Sequence, residues 1–255
     1  MKIATWNVNS LKVRLPQVMD WLEANQPDVL ALQETKLTDE NFPAAEIEDS
    51  GYCAIYSGQK TYNGVAILSR SPLEHVDTQF PDPASEEKRT IAATSGGVRI
   101  VNLYVVNGQA VGSEKYEYKL KWLDAVSDYL RAQIDGWKDV IVVGDFNIAP
   151  EDRDVHDPEA WREQILCSTP EREALSRIFE LGFHDVFRKF DQEDKTFSWW
   201  DYRAAAFRRN MGLRIDLVLA TARLRDACVR SYIDKQPRKN ERPSDHAPVV
   251  AEFEL

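Results

Sequence analysis

A short apolar strand that ends in polar side chains is the feature that most constrains this chain. Every residue from Val140 to Val143 is apolar and β-branched, which is typical of a strand covered on both faces. Gly144 closes the run, and then a carboxylate and an amide, Asp145 and Asn147, occur two residues apart. Polar residues at the end of a buried strand are either turn formers or members of a site, and one such stretch does not decide between these interpretations.

The remaining strands and helices follow from similar patterns. Apolar runs bounded by turn residues predict strands at 2–6, 28–33, 65–68, 90–94, 98–104, 139–143, 214–220, 228–233 and 247–253. Apolar residues at helical spacing predict a helix that ends before Pro27, a second over 114–134, and a third with Thr169 as its N-cap and Pro170 at its start. Because strands outnumber long helices, we expect an α/β fold with mixed sheets in a layered sandwich.

Composition and charge exclude several classes of protein. No linker or repeat divides the 255 residues, so we expect one domain over residues 1–255. No apolar run approaches the ~18 residues that span a bilayer, and we see no signal peptide. Cys53, Cys167 and Cys228 lack the spacing of a zinc or disulfide framework, so a cytoplasmic location is expected, and nothing in the sequence demands more than a monomer. The net charge of −10 argues against a general polyanion binder but leaves room for a local basic patch.

Polar side chains recur at the ends of other predicted strands. They are Asn7, Asn9, Glu34, Tyr104, Asp216, Asp245 and His246. Taken singly, most of them are better explained as turn formers, caps or solvated strand ends. Asp216 is harder to explain in this way, because it interrupts an apolar run and a buried, unpaired carboxylate is costly. It needs a partner, and His246 is a candidate.

Together these residues offer oxygen ligands and one imidazole. Carboxylates and amides without clustered cysteines or histidines suit Mg²⁺ or Mn²⁺ better than Zn²⁺. Such a site fits hydrolysis of a phosphate ester, in which the ion neutralises phosphate charge while a carboxylate or histidine activates water. The chain carries no GxSxG, P-loop or GxGxxG motif that would indicate a different chemistry.

Seven stretches, in this order, resemble the exonuclease III family of apurinic/apyrimidinic endonucleases, within the exonuclease–endonuclease–phosphatase superfamily. They are IATWNVNSLKVR (3–14), LALQETK (30–36), YNGVAILSR (62–70), GDFNIAP (144–150), FSWWDYR (197–203), GLRIDLVLA (212–220) and RPSDHAP (242–248). The resemblance spans essentially the whole chain. It implies a four-layer α-β-β-α sandwich of two packed mixed sheets flanked by helices, with the site where loops of both sheets meet at one end.

The resemblance also implies a site for Mg²⁺ or Mn²⁺. Glu34 is the expected main ligand, and Asp245 is expected to approach the ion from the other side. The full set of expected metal-site residues is Asn7, Glu34, Asp145, Asn147, Asp245 and His246. One-ion and two-ion arrangements use the same donors, so the number of ions stays open.

Catalytic roles are implied in the same way. Asp145 is expected to polarise the attacking water and Asn147 to stabilise the transition state. Asp216 is expected to orient His246, and Tyr104 to contact the phosphate. Whether Asp145 or His246 deprotonates the water stays open.

A basic and aromatic loop is the expected DNA-binding element. Residues 199–214, WWDYRAAAFRRNMGLR, hold four arginines against one aspartate. Basic and aromatic side chains on one loop suit a DNA backbone and an extruded or terminal nucleotide, and in the family this region inserts at the lesion. One of the two tryptophans is expected to pack on the core. The expected DNA-binding residues are Asn9, Trp199, Arg203, Arg208, Arg209 and Leu213.

Two positions depart from the family pattern. Val106 stands where a proline is common, two residues after the tyrosine, which predicts a less rigid loop. Leu213 stands where some relatives carry a tryptophan that closes the sugar pocket. The balance between abasic-site incision, 3′-end trimming and 3′-phosphate removal therefore stays open.

These observations predict a divalent-metal-dependent DNA repair phosphodiesterase. Its expected partner is double-stranded DNA that contains abasic sites or 3′ ends, and no membrane is involved. A catalytically silent nucleic-acid-binding relative is one alternative, although Glu34, Asp145 and His246 are all present. A superfamily phosphatase that acts on phosphoesters other than DNA is the other.

Overall fold

Twelve strands and five α-helices make up the regular part of the fold, in a computed structural model that describes residues 1–79 and 86–255. The strands are β1 Lys2–Asn7, β2 Val29–Gln33, β3 Cys53–Ser57, β4 Val65–Ser69, β5 Glu74–Asp77, β6 Thr90–Ser95, β7 Val98–Tyr104, β8 Val140–Asp145, β9 Phe183–Asp185, β10 Asp216–Thr221, β11 Cys228–Ile233 and β12 Val249–Phe253. The helices are α1 Leu11–Asn25, α2 Ala44–Asp49, α3 Glu114–Gly136, α4 Thr169–Glu180 and α5 Ala222–Ala227. Within the described ranges, no helix is both long and apolar enough to cross a bilayer.

The strands form two six-stranded sheets that pack face to face. The first has the order β11-β12-β1-β2-β4-β3, and the second has the order β5-β6-β7-β8-β10-β9. Both are mixed, because β1 pairs with β2 and β7 pairs with β8 in parallel, while the other pairs are antiparallel. Ile3 and Val29 of the first sheet share a buried cluster with Ile141 and Val143 of the second. The main core therefore lies between the sheets.

Helices cover the outer faces of both sheets. Val18 and Leu22 of α1 pack against the apolar side chains that the first sheet turns away from the second. Trp122 and Leu123 of α3 and Leu175 of α4 cover the second sheet in the same way. The predicted four-layer sandwich of two mixed sheets flanked by helices is confirmed.

Strand ends differ from the predictions at the places that matter for the site. Asp145 was expected after its strand, but it is the last residue of β8 and pairs with residues on both neighbouring strands. The strand predicted from residue 214 begins only at Asp216, because the backbone NH of Arg214 bonds outside the sheet, to the carbonyl of Asp154.

The predicted N-cap of α4 is wrong by one residue. Ser168, not Thr169, caps the helix, because the Ser168 side chain and the Glu171 carboxylate form a reciprocal capping box. Thr169 is the first helical residue, and Pro170 lies in the first turn, where a missing NH costs no helical hydrogen bond.

Buried amides pin the two sheets together beneath the polar strand ends. The Asn102 amide group, on β7, donates hydrogen bonds of 2.9 Å to the carbonyls of Leu32 and Ala66 in the other sheet. The Gln33 amide group donates to Asn102 Oδ1 at 2.7 Å and to Thr5 Oγ1 at 2.8 Å. Because Gln33 directly precedes Glu34, this network fixes the position of Glu34 relative to the second sheet.

We expect Asn102→Leu to lower the free energy of unfolding by about 1–3 kcal/mol, since it removes a buried donor and one of the two side-chain acceptors of the Gln33 amide. Urea denaturation measures the change. Asn240→Leu, at an exposed position, is the control and should stay within about 0.5 kcal/mol of wild type. Equal stability of Asn102→Leu and wild type would contradict an inter-sheet role for Asn102.

Candidate active site

Strand register places three predicted catalytic residues in one row across the second sheet. Asp145 on β8 pairs with Tyr104 on β7 and with Asp216 on β10. Gly144, one residue earlier, has a φ of 145°, and a Cβ there would lie 1.9 Å from the Leu103 carbonyl oxygen. A glycine at this position lets β8 approach β7 closely enough to bring the row together.

The side chain of Asn7 connects the row to the first sheet. The Asn7 amide group donates hydrogen bonds of 2.9 Å to Glu34 Oε1 and to Asp145 Oδ2. Asn7 and Glu34 come from the ends of neighbouring strands of the first sheet, whereas Asp145 belongs to the second. One buried amide therefore lies between two carboxylates from different sheets.

Asp216 and His246 form the buried pair that the sequence predicted. His246 Nδ1 lies 2.9 Å from Asp216 Oδ2, and its Nε2 lies 3.8 Å from Asp145 Oδ2. Burial lowers the pKa of His246, but the carboxylates of Asp216 and Asp145 outweigh burial and raise this pKa to about 10. The imidazole is therefore positively charged at neutral pH when only protein groups surround it.

Asp145 is the carboxylate whose protonation the site perturbs most clearly. Its burial raises the pKa to about 7, although His246 and the hydrogen bonds from Asn7 and Asn147 oppose the rise. Tyr104 is perturbed in the same direction, because burial and the charges of Glu34 and Asp145 raise its pKa well above 10. The phenol therefore remains a hydrogen-bond donor at neutral pH.

Asn147 is held in a left-handed backbone conformation, with a φ of 49°. Its backbone NH donates to Asp145 Oδ1 at 2.9 Å, which closes a turn directly after β8. Its side-chain amide donates to the Val105 carbonyl at 2.9 Å and to Asp145 Oδ2 at 3.3 Å. Asn107 donates in turn to Asn147 Oδ1 at 3.1 Å, so the side chain is fixed at both ends.

Asp245 directly precedes His246 in the sequence and has a different set of partners from Asp216. Its two oxygens accept from the Asn9 amide at 2.9 Å and from Trp199 Nε1 at 3.0 Å. These bonds and the charge of His246 outweigh the effect of burial and lower the pKa of Asp245. Asp245 therefore remains a carboxylate and faces the loop that begins at Trp199.

The donor set fits a hard divalent cation. Asp145, Asp216 and His246 each offer a ligand atom, and these atoms lie within 4.8 Å of one another. Glu34 is joined to Asp145 through Asn7 and has Lys36 Nζ at 2.9 Å from its other oxygen. Carboxylates outnumber the nearby cationic groups, and no cysteine contributes, which suits Mg²⁺ or Mn²⁺ rather than Zn²⁺. Asp216 belongs to this tight group, although the predicted ligand set did not include it.

The predicted DNA-binding loop is only partly as expected. Arg203, Arg208 and Arg209 are exposed, and Trp200 is the tryptophan that packs in the core. Trp199 is partly buried, and its backbone pairs with both Leu213 and His246. The loop is therefore attached directly to the site.

Two residues of this loop do not offer surface to DNA. Leu213, a predicted DNA contact, is fully buried and packs with Val155 and Ile215, so the prediction is corrected at this position. Arg214 is equally buried and forms ion pairs of 2.7 Å with Asp154 and Asp185. The basic character of the loop thus comes from three exposed arginines rather than four.

Sequence reasoning missed Ser198, which positions the Asp216–His246 pair. Ser198 Oγ donates to Asp216 Oδ2 at 2.6 Å and accepts from the backbone NH groups of Ile215 and Asp216. The only signal was its place inside the FSWWDYR stretch. Val106, noted as a departure, is buried in the core beneath α3.

The chain belongs to the Endonuclease/Exonuclease/phosphatase family, which matches residues 4–246. Over 99% of its length it is 37% identical to exodeoxyribonuclease III of Haemophilus influenzae, all of which is covered. Two solved structures are similar to this chain over the full length of both chains. One is the 3′ phosphatase NExo from Neisseria bound to a product DNA hairpin, with 47% identity and a TM-score of 0.98. The other is an AP endonuclease from Archaeoglobus fulgidus, with 41% identity and a TM-score of 0.96. The predicted family resemblance is confirmed.

We expect Asp216→Asn to lower the pKa of His246 from its value of about 10. The Asp216 carboxylate stabilises the imidazolium, and once it is neutral, burial acts against the charged form. NMR titration of the imidazole in metal-free protein measures the change, with the exposed Asp128→Asn as the matched control. An unchanged His246 pKa in Asp216→Asn would contradict the pairing.

Proposed function

We propose that the protein is a divalent-metal-dependent DNA repair phosphodiesterase. It would cut DNA 5′ to abasic sites, remove nucleotides or blocking phosphates from 3′ ends, or both. The observation that carries this proposal is the junction of Glu34 and Asp145 through Asn7, directly beside the His246–Asp216 pair. The names of the relatives, an exodeoxyribonuclease, a 3′ phosphatase and an AP endonuclease, support the choice of DNA as substrate.

Asp145 is the proposed base for the attacking water. It is the buried carboxylate with a pKa of about 7, and a general base works best when its pKa lies near the operating pH. His246 is a cation under the same conditions, so it acts as a hydrogen-bond donor to the phosphate rather than as the base. Asp216 and Ser198 hold the imidazole in the orientation that this role requires.

Asn147 and Tyr104 are the proposed neutral donors to the phosphate oxygens. The raised pKa of Tyr104 keeps its hydroxyl protonated, and Arg89 stacks over its ring with the guanidinium 4.7 Å from the ring centroid. Asn147 is fixed by Asn107 and Asp145 at the end of β8. Preorganised donors of this kind stabilise charge that develops in the transition state.

Glu34 and Asn7 are the residues that would hold the metal ion, with Asp145, Asp245, Asn147 and His246 around them. Bound Mg²⁺ or Mn²⁺ would neutralise phosphate charge and stabilise the leaving oxygen. The buried excess of carboxylates is the feature of the protein that favours such an ion, because unpaired buried charge is costly.

DNA would bind along two basic elements near the site, despite the net charge of −10. One is the loop with the exposed side chains of Arg203, Arg208 and Arg209. The other is a groove of about 560 Å³ that is lined by three lysines among other residues, Lys12, Lys36 and Lys60. Local positive charge at the rim of an acidic site suits a phosphate backbone that must approach buried carboxylates.

We expect the protein to cleave or trim DNA with Mg²⁺ and to lose this activity in EDTA. The measurement is a comparison of rates on duplexes with one abasic site, with a 3′-phosphate, and with a plain recessed 3′ end. The ranking of the three rates assigns the preferred substrate. If none of them is cleaved, the DNA proposal is wrong, and a silent binding relative or a phosphatase on other phosphoesters is left. Activity in EDTA would contradict the proposed metal dependence.

We expect Asp145→Asn and Asn147→Ala each to lower kcat by roughly 10²–10³-fold, because each removes a group that acts on the phosphate or the water. DNA binding, measured by fluorescence anisotropy, should persist, since the basic loop and groove are unchanged. Asp128→Asn is the matched control for the carboxylate change and should keep wild-type kcat. Near-normal turnover of either site variant would contradict its assigned role.

A further inference from the structure

Lys119 is a fully buried lysine on α3 that the proposed mechanism does not use. It lies at helical spacing from Leu123 and Val126, on the face of α3 that packs against the second sheet. A buried ammonium is costly unless it is paired and hydrogen-bonded. Its partners therefore show what the charge is retained for.

All three hydrogens of the ammonium have acceptors. Lys119 Nζ donates to the Asn147 carbonyl at 2.7 Å, to the Asn107 carbonyl at 3.2 Å, and to the Glu171 carboxylate. Asn147 and Asn107 lie on two different loops, one after β8 and one after β7. The lysine thus ties the two loops that carry the linked Asn107 and Asn147 side chains.

Glu171 anchors this arrangement from the first turn of α4. Its Oε1 also accepts from the backbone NH of Leu166 at 3.1 Å, and its Oε2 accepts from the backbone NH and the hydroxyl of Ser168. Both oxygens of the carboxylate therefore have hydrogen-bond partners that hold it in place. Because Lys119 is held by Glu171, the position of the Asn147 carbonyl is fixed by both α3 and α4.

Gly108 allows the lysine stem to pass beside the Asn107 loop. Gly108 has a φ of 89°, and a Cβ there would lie 3.0 Å from Lys119 Cδ. The loop, the lysine and the glycine fit together closely, so a shift of Lys119 would move the loop.

From these contacts, we propose that Lys119, anchored by Glu171, is a positioning residue that fixes Asn147 for catalysis. It acts by holding the carbonyls of Asn147 and Asn107, so that the Asn107 amide meets Asn147 Oδ1 and the Asn147 amide faces Asp145. This inference rests on the proposed function, in which Asn147 donates to the phosphate. Lys119 itself is buried and touches neither the substrate nor the metal ligands' side chains.

A pair of variants separates positioning from simple stabilisation. Lys119→Met alone leaves Glu171 buried without its counter-charge and is expected to destabilise the fold. Lys119→Met with Glu171→Gln removes both charges and keeps a capping-box residue at position 171, which restores much of the stability because no unpaired buried charge remains. The two variants therefore differ in stability while both lack the hydrogen bonds to Asn147 and Asn107.

We expect kcat on abasic-site DNA with Mg²⁺ to be roughly 10–100-fold below wild type in the double variant, with KM within about threefold, because a misplacement of about 1 Å in a catalytic group costs up to about 100-fold. Urea denaturation run in parallel reports stability. Recovery of kcat together with stability would show that the pair is only structural and would overturn the proposal. A change confined to KM would overturn it as well.

Two controls fix the interpretation. Gln133→Met removes the acceptor of Arg99 Nε near the far end of α3, so it should lower stability and leave kcat unchanged. In an Asn147→Ala background, loss of the Lys119–Glu171 pair should lower kcat by less than about threefold, since two residues that act as one unit are not additive. A full additional loss there would contradict action through Asn147.

Failure of this inference is distinguishable from failure of the proposed function. Wild-type protein that cleaves none of the DNA substrates removes the proposed function. Active wild type together with a fully active double variant removes the role of Lys119 alone.

Discussion

The site depends most on the two hydrogen bonds that the side-chain amide of Asn7 donates. The amide lies between a carboxylate of the first sheet, Glu34, and a carboxylate of the second, Asp145, and donates to both. The two sheets can meet in this way only because a shared core and the Asn102–Gln33 network fix their relative position. A displacement of one sheet against the other would separate the two carboxylates, so the packing of the two sheets is coupled to the geometry of the site.

Burial of so many carboxylates has a cost that the fold offsets locally. Asp216 is matched by His246 and Ser198, and Asp245 by Asn9 and Trp199. Asp145 accepts hydrogen bonds, but among the described residues His246 is the only basic side chain that pairs with it. Its raised pKa shows that these contacts do not fully offset the cost of burying the charge. Uncompensated negative charge favours binding of a cation at the site. Without a bound cation, the same charge would repel DNA. The lysines of the groove and the arginines of the 199–214 loop act against that repulsion at the rim.

Much of this could be predicted from the sequence, because the signals are local. A β-branched run predicts a buried strand, and a carboxylate inside an apolar run, as at Asp216, demands a partner. The resemblance of seven stretches then supplied the family and the four layers, both of which are confirmed. The roles assigned to individual residues remain predictions.

Other features could not be predicted, because they depend on which way a side chain points in the folded chain. Arg214 looked like part of a basic loop, yet it is buried between Asp154 and Asp185, which lie 60 and 29 positions away in the sequence. Beyond its place in the FSWWDYR stretch, Ser198 gives no signal of its role until Asp216 is placed beside it. The sequence gives one sign of Lys119, because it is a charged residue on the apolar face of α3. Its carbonyl acceptors lie on two loops that are far apart in the sequence, so the pairing could not be predicted.

The most direct measurement of the central claim is anomalous diffraction from crystals soaked in Mn²⁺. We expect a strong anomalous peak bound to the carboxylate of Glu34, in the space that Asn7 shares with Asp145. A peak bound elsewhere with Glu34 free of metal, or no peak at all at saturating Mn²⁺, would contradict a metal-dependent site built from the two sheets.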